Sequence, residues 1–426
     1  MAGLLWTFRI RFAQIRLARV IVQQRAGMRN PHFISRPGRV DQCGLNVEQK
    51  LRATGSNTGN LLFISALQRV VAHDRLSCKV GFRPREIRAD HDGLIIPAAN
   101  WLDPTSVSLD FENLAGRIEA SGLPCVLIGL GARALSEDQP LKLQPGMMRL
   151  LAVVSERSKS ISVRGEFSAH VLEAHGFKNV VVTGCPSLLW WVDRPAHASK
   201  KVARPSRITI NGTRGEFDES AFGATYAIGL KLARLARRIS ADYVAQTELP
   251  DMYFGLQGFT REDVDLQERA LAFVKRIYDE PDELALLGFL SAHVKTFFDV
   301  DEWIAYLRGR DFVIGTRLHG VITALLAGTP GVLITHDTRT REMARTLSIP
   351  AIGADALGEG GGALQRIYDE TDLSAFNAAQ PKYVETFRQF FEDNGVAHRL
   401  PGVPDSSSTS RSGDQSNLGA GPSHAP

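Results

Sequence analysis

Short, almost wholly apolar runs recur along the chain and are separated by longer stretches with helical spacing of apolar positions. Eight of the runs read as strands: Gly93 to Pro97, Cys125 to Gly129, Ser160 to Val163, Val180 to Thr183, Arg207 to Asn211, Asp242 to Gln246, Asp311 to Gly315 and Gly331 to Thr335. Helical segments lie between most of them, so the strands predict parallel sheets covered on both faces, an α/β fold. The polar, basic stretch PAHASKKVARP, bounded by Pro195 and Pro205, interrupts this alternation. It divides the chain into an N-terminal α/β unit over 41–198 and a C-terminal unit over 205–395.

The 426 residues, 44% hydrophobic and 23% charged, are enough for two sizeable cores and exclude a fibrous or wholly unfolded chain. No apolar run reaches the roughly eighteen residues that a spanning helix needs; the best, from Val321 to Ile334, is broken by Gly328, Pro330 and Gly331. The net charge of +4 is unevenly placed. Residues 1–40 hold eight Arg and no acid, so the remainder carries 4 − 8 = −4. That acidic body offers no basic stripe for nucleic acid. The first 40 residues read as a basic extension, with at most peripheral contact to an anionic membrane. The segment 401–426, rich in Ser, Gly and Pro, cannot bury enough apolar area to offset its chain entropy and reads as a disordered tail. Four dispersed cysteines with no zinc-like spacing fit reduced thiols in a cytoplasmic protein, and no metal site is expected.

Two segments share one layout. In SISVRGEF, a strand ends at Arg164 and Gly165 before a helix; in DFVIGTRLHGVITALLA, a strand gives way to Arg317, Leu318, His319 and Gly320 before another. Ligands of parallel sheets gather beyond the strands' carboxyl ends, and free N–H groups at a helix start favour anions. Each Arg is thus either an anion ligand or a structural ion pair. His319, beside Arg317 and a helix start, is either a helix cap or an imidazole kept neutral and able to accept a proton. Asn57 and Asn60, in SNTGN, precede the helix LLFISALQRVV as capping residues or ligands. GLGA at 129–132 lacks the full dinucleotide spacing. Cys185 reads as a structural thiol.

The run from Asp311 to Ala344, DFVIGTRLHGVITALLAGTPGVLITHDTRTREMA, closely resembles the carboxyl-terminal signature of the polysaccharide pyruvyl transferase family. SISVRGEFSAHVLEAHGFKNVVVTGCPSLL is similar to that family's central motif, and SNTGNLLFISAL to its opening NxGN element, in the right order between Cys43 and Phe390. The resemblance implies a GT-B-like fold, two Rossmann-like domains facing across a cleft. It implies transfer of a pyruvyl group from phosphoenolpyruvate to two sugar hydroxyls, with no other cofactor. It also places Arg164, Arg317, Leu318 and His319 on the donor, with His319 catalytic and the arginines paired from opposite domains. The implied acceptor is an exopolysaccharide or cell-wall sugar, often on a lipid carrier at the cytoplasmic membrane face. Asn100, Trp101, Asn211 and Glu248, at predicted strand ends, are acceptor-site candidates. Two other classes use such paired domains: a nucleotide-sugar glycosyltransferase and a noncatalytic sugar-binding relative.

Overall fold

In the computed structural model, which describes residues 27–103, 110–134, 136–138, 140–213, 223–358 and 360–402, every named strand pairs in parallel. The first unit holds β1 (His32–Phe33), β2 (Ser77–Cys78), β3 (Leu94–Pro97), β4 (Cys125–Ile128), β5 (Ile161–Val163) and β6 (Val180–Val182). Its strands run in the order β2-β1-β3-β4, and β5-β6 continue that sheet through a bridge between Leu130 and Val163. The second unit holds β7 (Ile208–Asn211), β8 (Asp242–Val244), β9 (Val294–Lys295), β10 (Phe312–Gly315), β11 (Gly331–Thr335) and β12 (Ala351–Gly353). Its order, β12-β11-β10-β7-β8-β9, reverses direction between β7 and β10. That reversal opens a crevice at the strands' carboxyl ends, which is where doubly wound sheets bind ligands. The expected α/β fold, two parallel-sheet units facing across a cleft in the GT-B manner, is observed.

All eight predicted strands form, each shortened by no more than two residues. The strands that the sequence hid, β1, β2, β9 and β12, are only two or three residues long and give no pattern to detect.

Two boundaries move. The basic extension does not reach residue 40, because His32 and Phe33 pair with both β2 and β3 and Phe33 is fully buried. The second unit loses its last helix, Ser374–Asp393, to the first. The Asn394 side chain, just beyond that helix, accepts from the Lys159 and Ser160 amides, and Ala397 and Met28 pair through a backbone hydrogen bond. Apolar periodicity shows that a helix has a buried face but not which sheet covers it. The first 26 residues and the tail beyond residue 402 lie outside the described residues.

Two helices are apolar nearly all round, and a helix with no polar face must be buried. In Asn60–Val70 nine of 11 residues are buried, and in Leu318–Leu326 eight of nine. They meet at the floor of the cleft, where Leu67, Leu189 and Trp190 of the first unit join Val321, Ile322 and Leu325 of the second in one core. The two units therefore share a hydrophobic floor. Among the described residues, no helix is long and apolar enough to cross a membrane.

Candidate active site

The second unit's contribution starts at the sheet reversal. Asn211 closes β7, and its buried carboxamide oxygen accepts from the Arg317 amide at 2.9 Å, which fixes the turn where β10 gives way to its helix. The Arg317 guanidinium donates from Nη2 to the Thr247 hydroxyl and to Glu248 Oε1, the latter at 2.6 Å. Glu248 is itself fully buried, and its other oxygen accepts from the amides of Gln246 and Thr247. Glu248 is therefore no surface ligand for a sugar, as its place at a strand end had suggested. It is the counter-ion that holds Arg317 in place.

His319 follows one helical position inside the turn. Its ring is half-buried, lies against Phe63 at a centroid distance of 5.5 Å and places Nε2 3.6 Å from the Cys185 sulfur. Burial, reinforced by the positive charges of Arg164, Arg339 and Arg317, pushes its pKa well below that of a free imidazole. His319 is therefore neutral at pH 7. With Nε2 facing the thiol, Nδ1 has no hydrogen-bond partner among the described residues and is the nitrogen free to accept a proton. Cys185, fully buried and also 3.1 Å from the Ser187 hydroxyl, packs against the imidazole from behind.

Arg164 behaves differently from the expectation. It is 1% exposed and spends its donors inside the protein: Nε to the Gly129 carbonyl at 2.8 Å, Nη1 to Asn100 Oδ1 at 2.9 Å and Nη2 to the Ala98 carbonyl at 3.3 Å. The pairing of Arg164 and Arg317 as two direct donor ligands is thereby corrected, because Arg164 does not reach the cleft surface. Desolvation lowers its pKa, but a guanidinium stays charged, so it acts as a fixed buried cation behind His319 and Asn100. The GLGA turn supplies one of its carbonyl partners.

Asn57, Asn100, Leu318, Arg317 and His319 all line one cavity of about 340 Å³. Asn60 does not: its amide donates back to the Thr54 carbonyl at 3.1 Å and braces the loop. Leu318 offers little more than backbone, being 2% exposed. Trp101 packs on Phe111 instead. A separate, open depression along Arg39 to Cys43 contains none of these residues.

The same cavity is lined by seven residues that the sequence reading passed over: Asp103, Arg133, Thr213, Gln246, His336, Asp337 and Arg339. Three of them, His336, Asp337 and Arg339, come from one signal that was available. THDTR at the end of β11 repeats the strand, polar turn and helix layout of the SVRG and TRLHG segments, and Asp337 caps its helix through the Thr340 amide at 2.7 Å. Burial opposes ionisation of Asp337, yet Arg339, His336 and the Thr340 hydrogen bonds outweigh it and hold the carboxyl below the usual range. Asp337 also lies 3.5 Å from Arg339 Nε and 3.7 Å from Arg133 Nε, and so spaces the two rim cations. The cavity thus presents Arg133, Arg317 and Arg339 around a neutral imidazole. Among the described residues, no group of three or more His, Cys, Asp or Glu is placed to hold a metal.

Paired parallel sheets, a cleft at the sheet reversal and three cations around a neutral histidine define a two-lobed α/β protein with a cationic cleft. The chain belongs to the polysaccharide pyruvyl transferase family, whose family model matches residues 32–338. No curated protein matches it. Among solved structures it is similar to a UDP-N-acetylglucosamine 2-epimerase from Rickettsia bellii (8% identity, 83% of this chain and 79% of that chain, TM-score 0.37). It is also similar to the glycosyltransferase SnogD from Streptomyces nogalater (17% identity, 82% and 77%, TM-score 0.30). Likeness this remote carries no argument about chemistry.

Proposed function

We propose that the protein moves a pyruvyl group from phosphoenolpyruvate to two hydroxyls of a sugar in an exopolysaccharide or cell-surface glycan, forming a cyclic ketal and releasing phosphate. The observation that carries this reading is the neutral His319 set among Arg317, Arg339 and Arg133 in one small cavity. A compact ligand with a carboxylate and a phosphate needs at least two cationic or N–H-rich sites at fixed separation, and guanidinium groups supply them.

In this mechanism a first sugar hydroxyl adds to the enol carbon of the donor while His319 Nδ1 accepts its proton and the methylene carbon takes up another, becoming methyl. The carbon–oxygen bond to phosphate then breaks, phosphate leaving with both electrons of that bond, and the second hydroxyl bonds the same carbon and gives up its proton to the departing phosphate. The rim arginines stabilise the charge that builds on it. Holding both hydroxyls beside one carbon in a site closed to water favours ring closure over hydrolysis.

The test is to incubate the purified protein with phosphoenolpyruvate and saccharides bearing neighbouring hydroxyl pairs, lipid-linked acceptors included. Phosphate release is measured together with the methyl resonance of a ketal by proton NMR. Release of a nucleotide from a sugar nucleotide, with none of phosphate from phosphoenolpyruvate, would instead mark a glycosyltransferase.

A further inference from the structure

Gln246 sits just beyond β8, is 1% exposed and lines the cavity, and its carboxamide nitrogen has no hydrogen-bond partner. A buried donor left unpaired costs about 1–3 kcal/mol, so such a group at a ligand cavity marks where a ligand atom belongs. Its surroundings say which kind. An added Cβ on Gly320, in the first turn of the Leu318–Leu326 helix, would lie 2.9 Å from Gln246 Nε2. One on Gly59 would lie 2.7 Å from Gln246 Oε1 and 3.1 Å from the His319 Cβ. The glycines of the NTGN and RLHG segments therefore both leave room for this one carboxamide. The helix start beside it presents N–H groups with no partner inside the helix and the positive end of its dipole.

We infer that Gln246 Nε2 and the first turn of the Leu318–Leu326 helix form the subsite for the carboxylate of the donor. The inference rests on the pyruvyl-transfer reading and assigns the two ends of the ligand. Glu248 already neutralises Arg317 from below, so this end of the cavity offers mainly uncharged N–H donors, which suit a monoanionic carboxylate that stays on the product. Arg133 and Arg339, both near Asp337 and partly exposed, suit the phosphate that must depart. The Asp103 and Asp337 carboxylates lie with those rim arginines.

The experiment compares wild type with Gln246→Leu and Gln246→Glu, using phosphoenolpyruvate as substrate and pyruvate and inorganic phosphate as competing ligands. One lost hydrogen bond to a charged group raises the KM for phosphoenolpyruvate roughly 10- to 100-fold in Gln246→Leu, and further in Gln246→Glu, where like charges meet. Inhibition by pyruvate weakens in parallel, whereas inhibition by phosphate stays within about twofold. An unchanged KM, or equal loss of both inhibitors, overturns the assignment. Should Gln246→Leu not fold, Gln246→Asn keeps the amide but withdraws it by one carbon, and the same pattern is expected. Absence of any phosphate release by wild type defeats the pyruvyl-transfer reading instead. In that event titration calorimetry with pyruvate alone decides the subsite, because its binding either depends on Gln246 or does not.

Discussion

Replacing Arg164 by Met keeps most of the side-chain volume and removes the charge. Three acceptors then lose their donor in a dry environment: the Gly129 and Ala98 carbonyls and the Asn100 carboxamide oxygen. Leaving buried acceptors unmatched, as when one member of a buried charged network is deleted, costs roughly 3–5 kcal/mol, so the thermal midpoint falls clearly. A second effect is kinetic. The charge of Arg164 is the largest electrostatic contribution, after burial, to the lowered pKa of His319. Its removal raises that pKa, although burial still opposes protonation, so the acid limb of kcat moves to higher pH than in wild type. Arg164→Lys retains the charge and keeps the acid limb at its wild-type position, though with fewer hydrogen bonds it is still less stable. The assay is kcat against pH for the three proteins, with calorimetric unfolding alongside. A Met variant with wild-type stability and pH profile but a raised KM for phosphoenolpyruvate would refute the reasoning, because it would mean that Arg164 touches the donor directly.

The remaining predictions test the other parts of the site. His319→Ala is expected to unfold near the wild-type midpoint and to lose about 10²- to 10⁴-fold in kcat, measured by phosphate release. Glu248→Gln sets an amide against Arg317 and breaks a buried ion pair; a loss of about 3 kcal/mol in unfolding free energy and a raised donor KM are expected. Glu342→Leu strips the Ser168 amide and hydroxyl of their acceptor and costs about 1–3 kcal/mol, whereas Glu342→Gln recovers most of it by denaturant titration. His319 and His336 both have native pKa values below the unfolded 6.5, so below pH 6.5 the unfolded chain binds protons that the native state refuses. Stability therefore drops on acidification, by up to about 1.4 kcal/mol per pH unit for each histidine, and the double Asn variant should show a shallower slope between about pH 5 and 6.5.

The sequence made the strand ends legible and the side-chain directions illegible. β3, β4, β5, β7, β10 and β11 are continuous β-branched and aliphatic runs that only a doubly covered parallel sheet accepts, and the residues that follow them are the site. Arg164 and Glu248 went wrong for one reason. A charged residue just after a strand can point into the cleft or fold back under the sheet's lip, and its neighbours in the chain are the same in both cases. Only the third dimension puts the Gly129 and Ala98 carbonyls around Arg164, or Arg317 above Glu248. Gln246 and Arg133 were unreadable because nothing in their local spacing marks them. The Cys185–His319 contact joins residues 134 positions apart, a distance no motif spans.

Floor and rim hold the two units together by different physics. Beneath the cavity, Leu67, Leu189 and Trp190 pack with Val321, Ile322 and Leu325, so pulling the floor apart would expose apolar area at about 25 cal/mol per Å². Above it the contacts are polar and sparse. The Thr338 hydroxyl both accepts from the Ala134 amide and donates to the Ala134 carbonyl at 3.0 Å, Glu342 accepts from the Ser168 amide at 2.7 Å, and Arg345 meets Glu137 in an exposed pair. The exposed Arg345–Glu137 pair exchanges for water at little net cost, whereas the buried Glu342–Ser168 hydrogen bonds do not. Glu342 also bears on the site itself: its carboxylate, from the second unit, lies close enough to Arg164 of the first for their charges to interact. One carboxylate of the second unit thus both joins it to the first and bears on the cation behind the proposed proton acceptor.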